Sequence, residues 1–147
     1  MEYLVILVAV LVLAGSISIA IPSKASRKIS KLRMEAKLLG CKISSTLYGE
    51  NTFKNNNSNS VIYQIKNLTS IKDAHFIRDN DQLILYSPVK LKFSDDFELI
   101  NNKLNGVSNS IEEIIFSNAS ISFLWKELRG LDELKIILIK LGDLKNL

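Results

Sequence analysis

A chain of 147 residues with 47% hydrophobic content has room for one domain of ordinary size and not for two. Its single cysteine, Cys41, excludes an intrachain disulfide and with it the cross-linked scaffolds of small secreted domains. The net charge of +4 raises nucleic acid as a partner, but the excess is local. Residues 22–40 carry Lys24, Arg27, Lys28, Lys31, Arg33 and Lys37 against Glu35, whereas residues 41–147 carry thirteen basic and thirteen acidic side chains, so no nucleic-acid partner is expected.

Residues 3–21 contain no charged side chain. As a helix rising about 1.5 Å per residue they reach about 28 Å, close to the roughly 30 Å hydrocarbon core of a bilayer. They are apolar on every face, unlike the single stripe of a helix buried in a soluble core. Ser18-Ile19-Ala20 has the small-x-small spacing of a signal-peptide cleavage site, but a secretory signal carries positive charge before its apolar run, and here only Glu2 precedes it. In Leu13-Ala14-Gly15-Ser16, a serine stands where a lipoprotein needs its lipid-bearing cysteine. Residues 1–21 are therefore expected to be a transmembrane helix, with Gly15 and Ser18 small enough for helix contacts. By the positive-inside rule the N-terminus is outside and the remainder in the cytoplasm.

Pro22 ends the span and Ser23 is a favoured N-cap. A second helix is predicted over 24–39, with Ala25, Ile29, Leu32, Ala36 and Leu39 on one stripe and Gly40 as its stop. Residues 22–40 thus read as a basic juxtamembrane helix. Its six cations, Lys24, Arg27, Lys28, Lys31, Arg33 and Lys37, are candidate membrane-surface residues, and its stripe rests on lipid or docks on the domain.

Residues 41–147 are expected to form one α+β domain, a small antiparallel sheet with two helices on one face. Strands are predicted at 41–48 and 60–66 as a hairpin, joined by a polar loop over 49–59 that includes Asn55-Asn56-Asn57-Ser58-Asn59. A second pair, 75–78 and 82–86, flanks Asp79-Asn80-Asp81, which reads as a turn because the glycine and distal glutamate of a calcium loop are absent. Alternation over 89–93 after Pro88 predicts an edge strand. A helix capped by Ser94 or Asp95 then runs to Asn105-Gly106, a hairpin pairs 111–116 with 120–125, and a last helix covers 131–144 with Leu134, Ile137, Leu138, Leu141 and Leu144 on its buried face.

Little in this pattern is catalytic. His75 is the only histidine, and beside Phe76 at a strand start it reads as structural. Cys41 follows a helix C-terminus, whose partial negative charge disfavours a thiolate. Strand alternation sends Glu112 and Glu113 to opposite faces. No Walker loop, G-x-G-x-x-G, C-x-x-C or H-E-x-x-H occurs. No catalytic residue, cofactor or metal is therefore expected. Trp125, Lys126 and Arg129 are candidate partner contacts, since Trp and Arg are common binding anchors, although a lone Trp also serves as a core anchor.

The apolar span, Ile21-Pro22-Ser23, the run Arg27-Lys28-Ile29-Ser30-Lys31-Leu32-Arg33, Ala36-Lys37-Leu38-Leu39-Gly40 and the late Leu124-Trp125-Lys126-Glu127 resemble a group of short gammaproteobacterial single-pass inner-membrane proteins. The layout is also similar to YajC, the preprotein translocase accessory subunit, with one span, a basic helix and a small cytoplasmic β-rich domain. Where that family has a Gly-Asp-Glu-Val-Val type strand and turn, this chain has Gly40-Cys41-Lys42-Ile43. The resemblances imply a bacterial inner-membrane location and supply no activity.

The expectation is a membrane-anchored, non-catalytic interaction module partnered by the lipid bilayer and by another membrane or membrane-associated protein. The alternatives are a translocase-accessory role by layout, or a membrane-tethered hydrolase or transferase, which requires His75, Cys41 and Asp79 to converge on one pocket.

Overall fold

The structure, a computed structural model, describes residues 1–44, 53–55 and 60–147. The chain divides into two units, Met1–Lys31 and Leu32–Leu147.

In the first unit, α1 (Glu2–Ala20) buries none of its residues. Its two serines hydrogen-bond within the helix: Ser16 Oγ donates to the Val12 carbonyl at 2.8 Å and Ser18 Oγ to the Ala14 carbonyl at 3.0 Å. Both serine hydroxyls are thereby satisfied within the helix. Ile21 is extended, and after Pro22 the chain re-enters a helix, α2 (Lys24–Leu38). Ser23 caps it as expected, its Oγ accepting from the Ser26 N–H at 3.1 Å.

The second unit takes in the end of α2. Gly40, with φ +90°, is the left-handed residue that closes the helix. The Gly40 N–H donates to the Lys37 carbonyl and the Cys41 N–H to the Ala36 carbonyl, a Schellman stop that turns the chain into the sheet. Strands β1 (Lys42–Ser44), β2 (Val61–Lys66), β3 (Ala74–Asp79), β4 (Gln82–Ser87), β5 (Ile111–Phe116) and β6 (Ser120–Trp125) form one antiparallel sheet in the order β1-β2-β6-β5-β3-β4. The three predicted hairpins are present. The first strand is described only to Ser44, and 45–48 with most of the polar loop lies outside the described residues.

One face of the sheet meets the helices α3 (Phe97–Asn105) and α4 (Gly130–Gly142) and the end of α2. Tyr63, Phe76, Phe116, Phe123 and Trp125 fill this core, joined by Ile100 and Leu104 from α3, Leu134, Ile137 and Leu141 from α4, and Leu32 and Ala36 from α2. The aromatic rings meet edge to face or offset, Tyr63 against Trp125 at 5.1 Å and Phe76 against Phe116 at 6.1 Å between centroids. Of the stripe predicted on α2, Leu32 and Ala36 dock on the domain, whereas Ala25, Ile29 and Leu39 are exposed.

Two predicted details are corrected. Residues 89–93 form a 3-10 turn, Val89–Phe93, and not an edge strand. Pro88 has no N–H for a ladder, and local bonds from the Leu91 N–H to the Pro88 carbonyl and from the Ser94 N–H to the Leu91 carbonyl close the turn instead. The α3 cap is Asp96, with no side-chain cap bond, and not Ser94 or Asp95. Ser94 is drawn away because its Oγ donates to the Leu91 carbonyl at 2.8 Å.

Candidate functional site

Five of the six cations of the basic helix, Lys24, Arg27, Lys28, Lys31 and Lys37, are exposed. Arg33 is not free for lipid. Its Nε and Nη2 donate to the two carboxylate oxygens of Glu127, each at 2.9 Å, and Tyr63 Oη donates to Glu127 Oε1 at 2.6 Å. The fork geometry of a guanidinium on a carboxylate makes this the strong form of ion pair. The bond to Glu127 raises the Arg33 pKa, while burial and the same carboxylate raise that of Tyr63, so the phenol stays a donor. Arg33 thus belongs to the seam between α2 and the sheet, because the register that buries Leu32 and Ala36 also turns Arg33 toward β2.

Of the candidate partner contacts, Trp125 is fully buried and is removed from the set. Its Nε1 donates to Glu133 Oε2 at 3.0 Å, and the other oxygen of Glu133 accepts from the hydroxyls of Ser108 and Ser110. Trp125 anchors the core because the register of β6 places it on the helix-facing side with Phe123. Lys126 is half-buried and paired with Glu112 at 3.2 Å. Arg129 remains open, its side chain 72% exposed and only 3.8 Å from Glu133 at closest.

His75, Cys41 and Asp79 do not converge. Cys41 is buried in the helix-facing core beside β1, whereas β3, which carries His75 and Asp79, stands four places away in the sheet. At a strand spacing of about 4.8 Å that is about 19 Å. Asp79 is exposed at the far end of β3, about 13 Å along the strand from His75. Among the described residues no group of three His, Cys, Asp or Glu side chains gathers as a metal site.

Burial raises the Cys41 thiol from 9.0 to about 11, leaving about a hundredfold less thiolate at neutral pH than an unshifted thiol has. Alkylation of the folded protein at pH 8 is expected to be at least about a hundredfold slower than after unfolding. Because the unfolded thiol ionises first, its contribution to stability is complete below pH 9.0 and is lost as the pH rises to about 11. Denaturation of Cys41→Ala beside the parent across this window checks the point: the variant should show the shallower alkaline decline.

The feature that sequence reasoning passed over is Glu113. The pairings Ile111↔Trp125 and Glu113↔Leu124 make Glu112 the extra residue of a β-bulge, so simple alternation does not hold for the two glutamates. Glu113 lies on the face of the sheet away from the helices and is fully buried there. His75 Nε2 is 2.8 Å from its Oε2, the Lys54 N–H donates to Oε2 at 3.0 Å, and the Asn55 N–H donates to Oε1. Buried Ile62, Ile115 and Leu124 share this face, and the Tyr86 ring packs edge-on against His75 at 5.1 Å. Glu112, by contrast, takes Ser60 Oγ at 3.0 Å and Lys126. The arrangement holds residues 53–55 against the sheet. No local signal marks it, because the partners of Glu113 lie 38, 58 and 59 residues away.

No protein-family model matches the chain, and comparison with curated proteins and with solved structures likewise finds no match.

Proposed function

We propose that the protein is a membrane-anchored, non-catalytic interaction module at the cytoplasmic face of a bacterial inner membrane. In this reading α1 spans the bilayer with the N-terminus outside, and Lys24, Arg27, Lys28 and Lys31 follow it on the cytoplasmic leaflet. The domain offers its surface, Arg129 included, to a membrane-associated protein partner. The supporting observation is α1 itself: nineteen residues, none buried, uncharged after Glu2, with both serine hydroxyls satisfied inside the helix. The adjacent cations favour the anionic leaflet by about 1 kcal/mol each, and their position after the span sets its direction.

The intact protein is expected to stay in membranes through an alkaline carbonate wash. Leu7→Lys with Leu11→Lys places two cations near the middle of the span, at a cost of about 3 kcal/mol each, and should release the protein from the membrane fraction. Retention of this double variant would overturn the anchor. Affinity capture of the released form tests the module: the same partner should be recovered from both forms if the domain does the binding.

A further inference from the structure

A groove of about 300 Å³ opens on the domain between the end of α4, the chain after β2 and the turn that closes α2. Its floor includes Ile121 and Leu141, with half-buried Leu138 beside them, and its rim carries Leu39 and Leu68, 45% and 57% exposed. Lys66 and Lys145 also line it, both exposed, and neither forms an ion pair among the described residues. No described acidic residue lines the groove. Exposed leucines beside uncompensated cations present two demands at one place, an apolar body to cover the leucines and an anionic group to meet the lysines.

We propose that this groove takes an acyl chain of an anionic phospholipid from the bilayer, with the head group on Lys66 and Lys145. The inference rests on the anchored reading, since the membrane is what supplies the lipid. The volume lies at the lower end of small-molecule sites, about 300–1,000 Å³, which suits a single chain. An amphipathic partner helix would need a longer groove to seat anchors over two turns. Charge selects the head group: two cations in a groove that no described acidic residue lines favour phosphatidylglycerol over a zwitterionic lipid.

The test uses the full chain in nanodiscs of phosphatidylglycerol whose acyl chain carries a photoreactive diazirine, with cross-linked peptides located by mass spectrometry. Cross-links are expected on α1 and on peptides containing Leu68 and Leu138. Gly142→Phe adds a ring at a residue that lines the groove, where an added Cβ meets open space, and should cut the domain cross-links at least tenfold while sparing α1. Lys66→Glu with Lys145→Glu, or phosphatidylcholine carrying the same diazirine chain, should do likewise. Unchanged Trp125 fluorescence verifies that each variant is folded. Labelled α1 with an unlabelled domain overturns this inference and leaves the anchor standing, and so does domain labelling that neither Gly142→Phe nor the change of lipid reduces. A labelled domain with unlabelled α1 supports the groove and overturns the anchor, whereas no labelling of either overturns both.

Discussion

Replacing Glu113 by alanine is expected to destabilise the domain by about 3 kcal/mol, the upper end of the penalty for leaving a buried polar group without its partner. The side chain is fully buried and answers three donors: His75 Nε2 and the Lys54 and Asn55 N–H groups. After truncation the buried His75 ring nitrogen loses its partner, at a desolvation penalty of about 1–3 kcal/mol, while the amides of exposed Lys54 and Asn55 lose their tie to the sheet. Glu113→Gln keeps the volume and one acceptor oxygen, so it should lie between the parent and the alanine variant. The measurement is urea denaturation of the full chain in micelles, followed by the fluorescence of Trp125. That residue is the only tryptophan and is fully buried, so it reports on the domain and not on α1. Hydrogen exchange supplies a second readout, since the Lys54 and Asn55 amides should lose protection in Glu113→Ala. A change under about 0.5 kcal/mol, with those amides still protected, would show that the clasp on residues 53–55 contributes nothing.

Trp125→Ala should cost a comparable amount, about 3–5 kcal/mol for a large aromatic removed from a packed core. The indole lies against Tyr63 and supplies one of the donors to Glu133, so its loss combines a cavity with a weakened acceptor network. Arg129→Ala is the contrasting variant. Its side chain is largely in solvent and its ion pair is long, so a change within about 0.5 kcal/mol is expected. Thermal unfolding followed by circular dichroism compares the two, because the tryptophan signal is lost in the first. If Trp125→Ala unfolded like the parent yet lost a binding partner, the indole would be a contact residue and not a core anchor. If Arg129→Ala were as damaging to stability as Trp125→Ala, Arg129 would not be an open cation.

The difference between these residues shows where sequence patterning stopped being informative. Trp125, Lys126 and Arg129 are neighbours in sequence and share a composition typical of binding surfaces. Their separation into a core residue, a paired cation and an open cation depends on the register of β6 against β2 and β5. Arg33 makes the same point on α2. By charge it belongs with Lys31 and Lys37, and only the depth at which Leu32 and Ala36 dock assigns it to Glu127. In the Val89–Phe93 segment, a five-residue alternation was compatible with both an edge strand and a 3-10 turn, and the missing proline donor decided for the turn.

The amino-acid sequence by itself determined the apolar span, the break at Pro22, the capping of α2 by Ser23 and Gly40, and the positions of the three hairpins and two domain helices. These features follow from hydrophobic period, local turn chemistry and the absence of charge, all of which act over a few residues. Only the tertiary structure decided that Leu32 and Ala36 of the α2 stripe belong to the domain core, that Trp125 is interior, that His75, Cys41 and Asp79 stand apart, and that Glu113 clasps a segment 58 residues distant. Those outcomes turn on strand order, on a bulge that shifts β5 by one residue, and on backbone amides acting as partners. None leaves a trace in residue identity at short range, because a buried carboxylate is stabilised by whichever donors the fold brings to it.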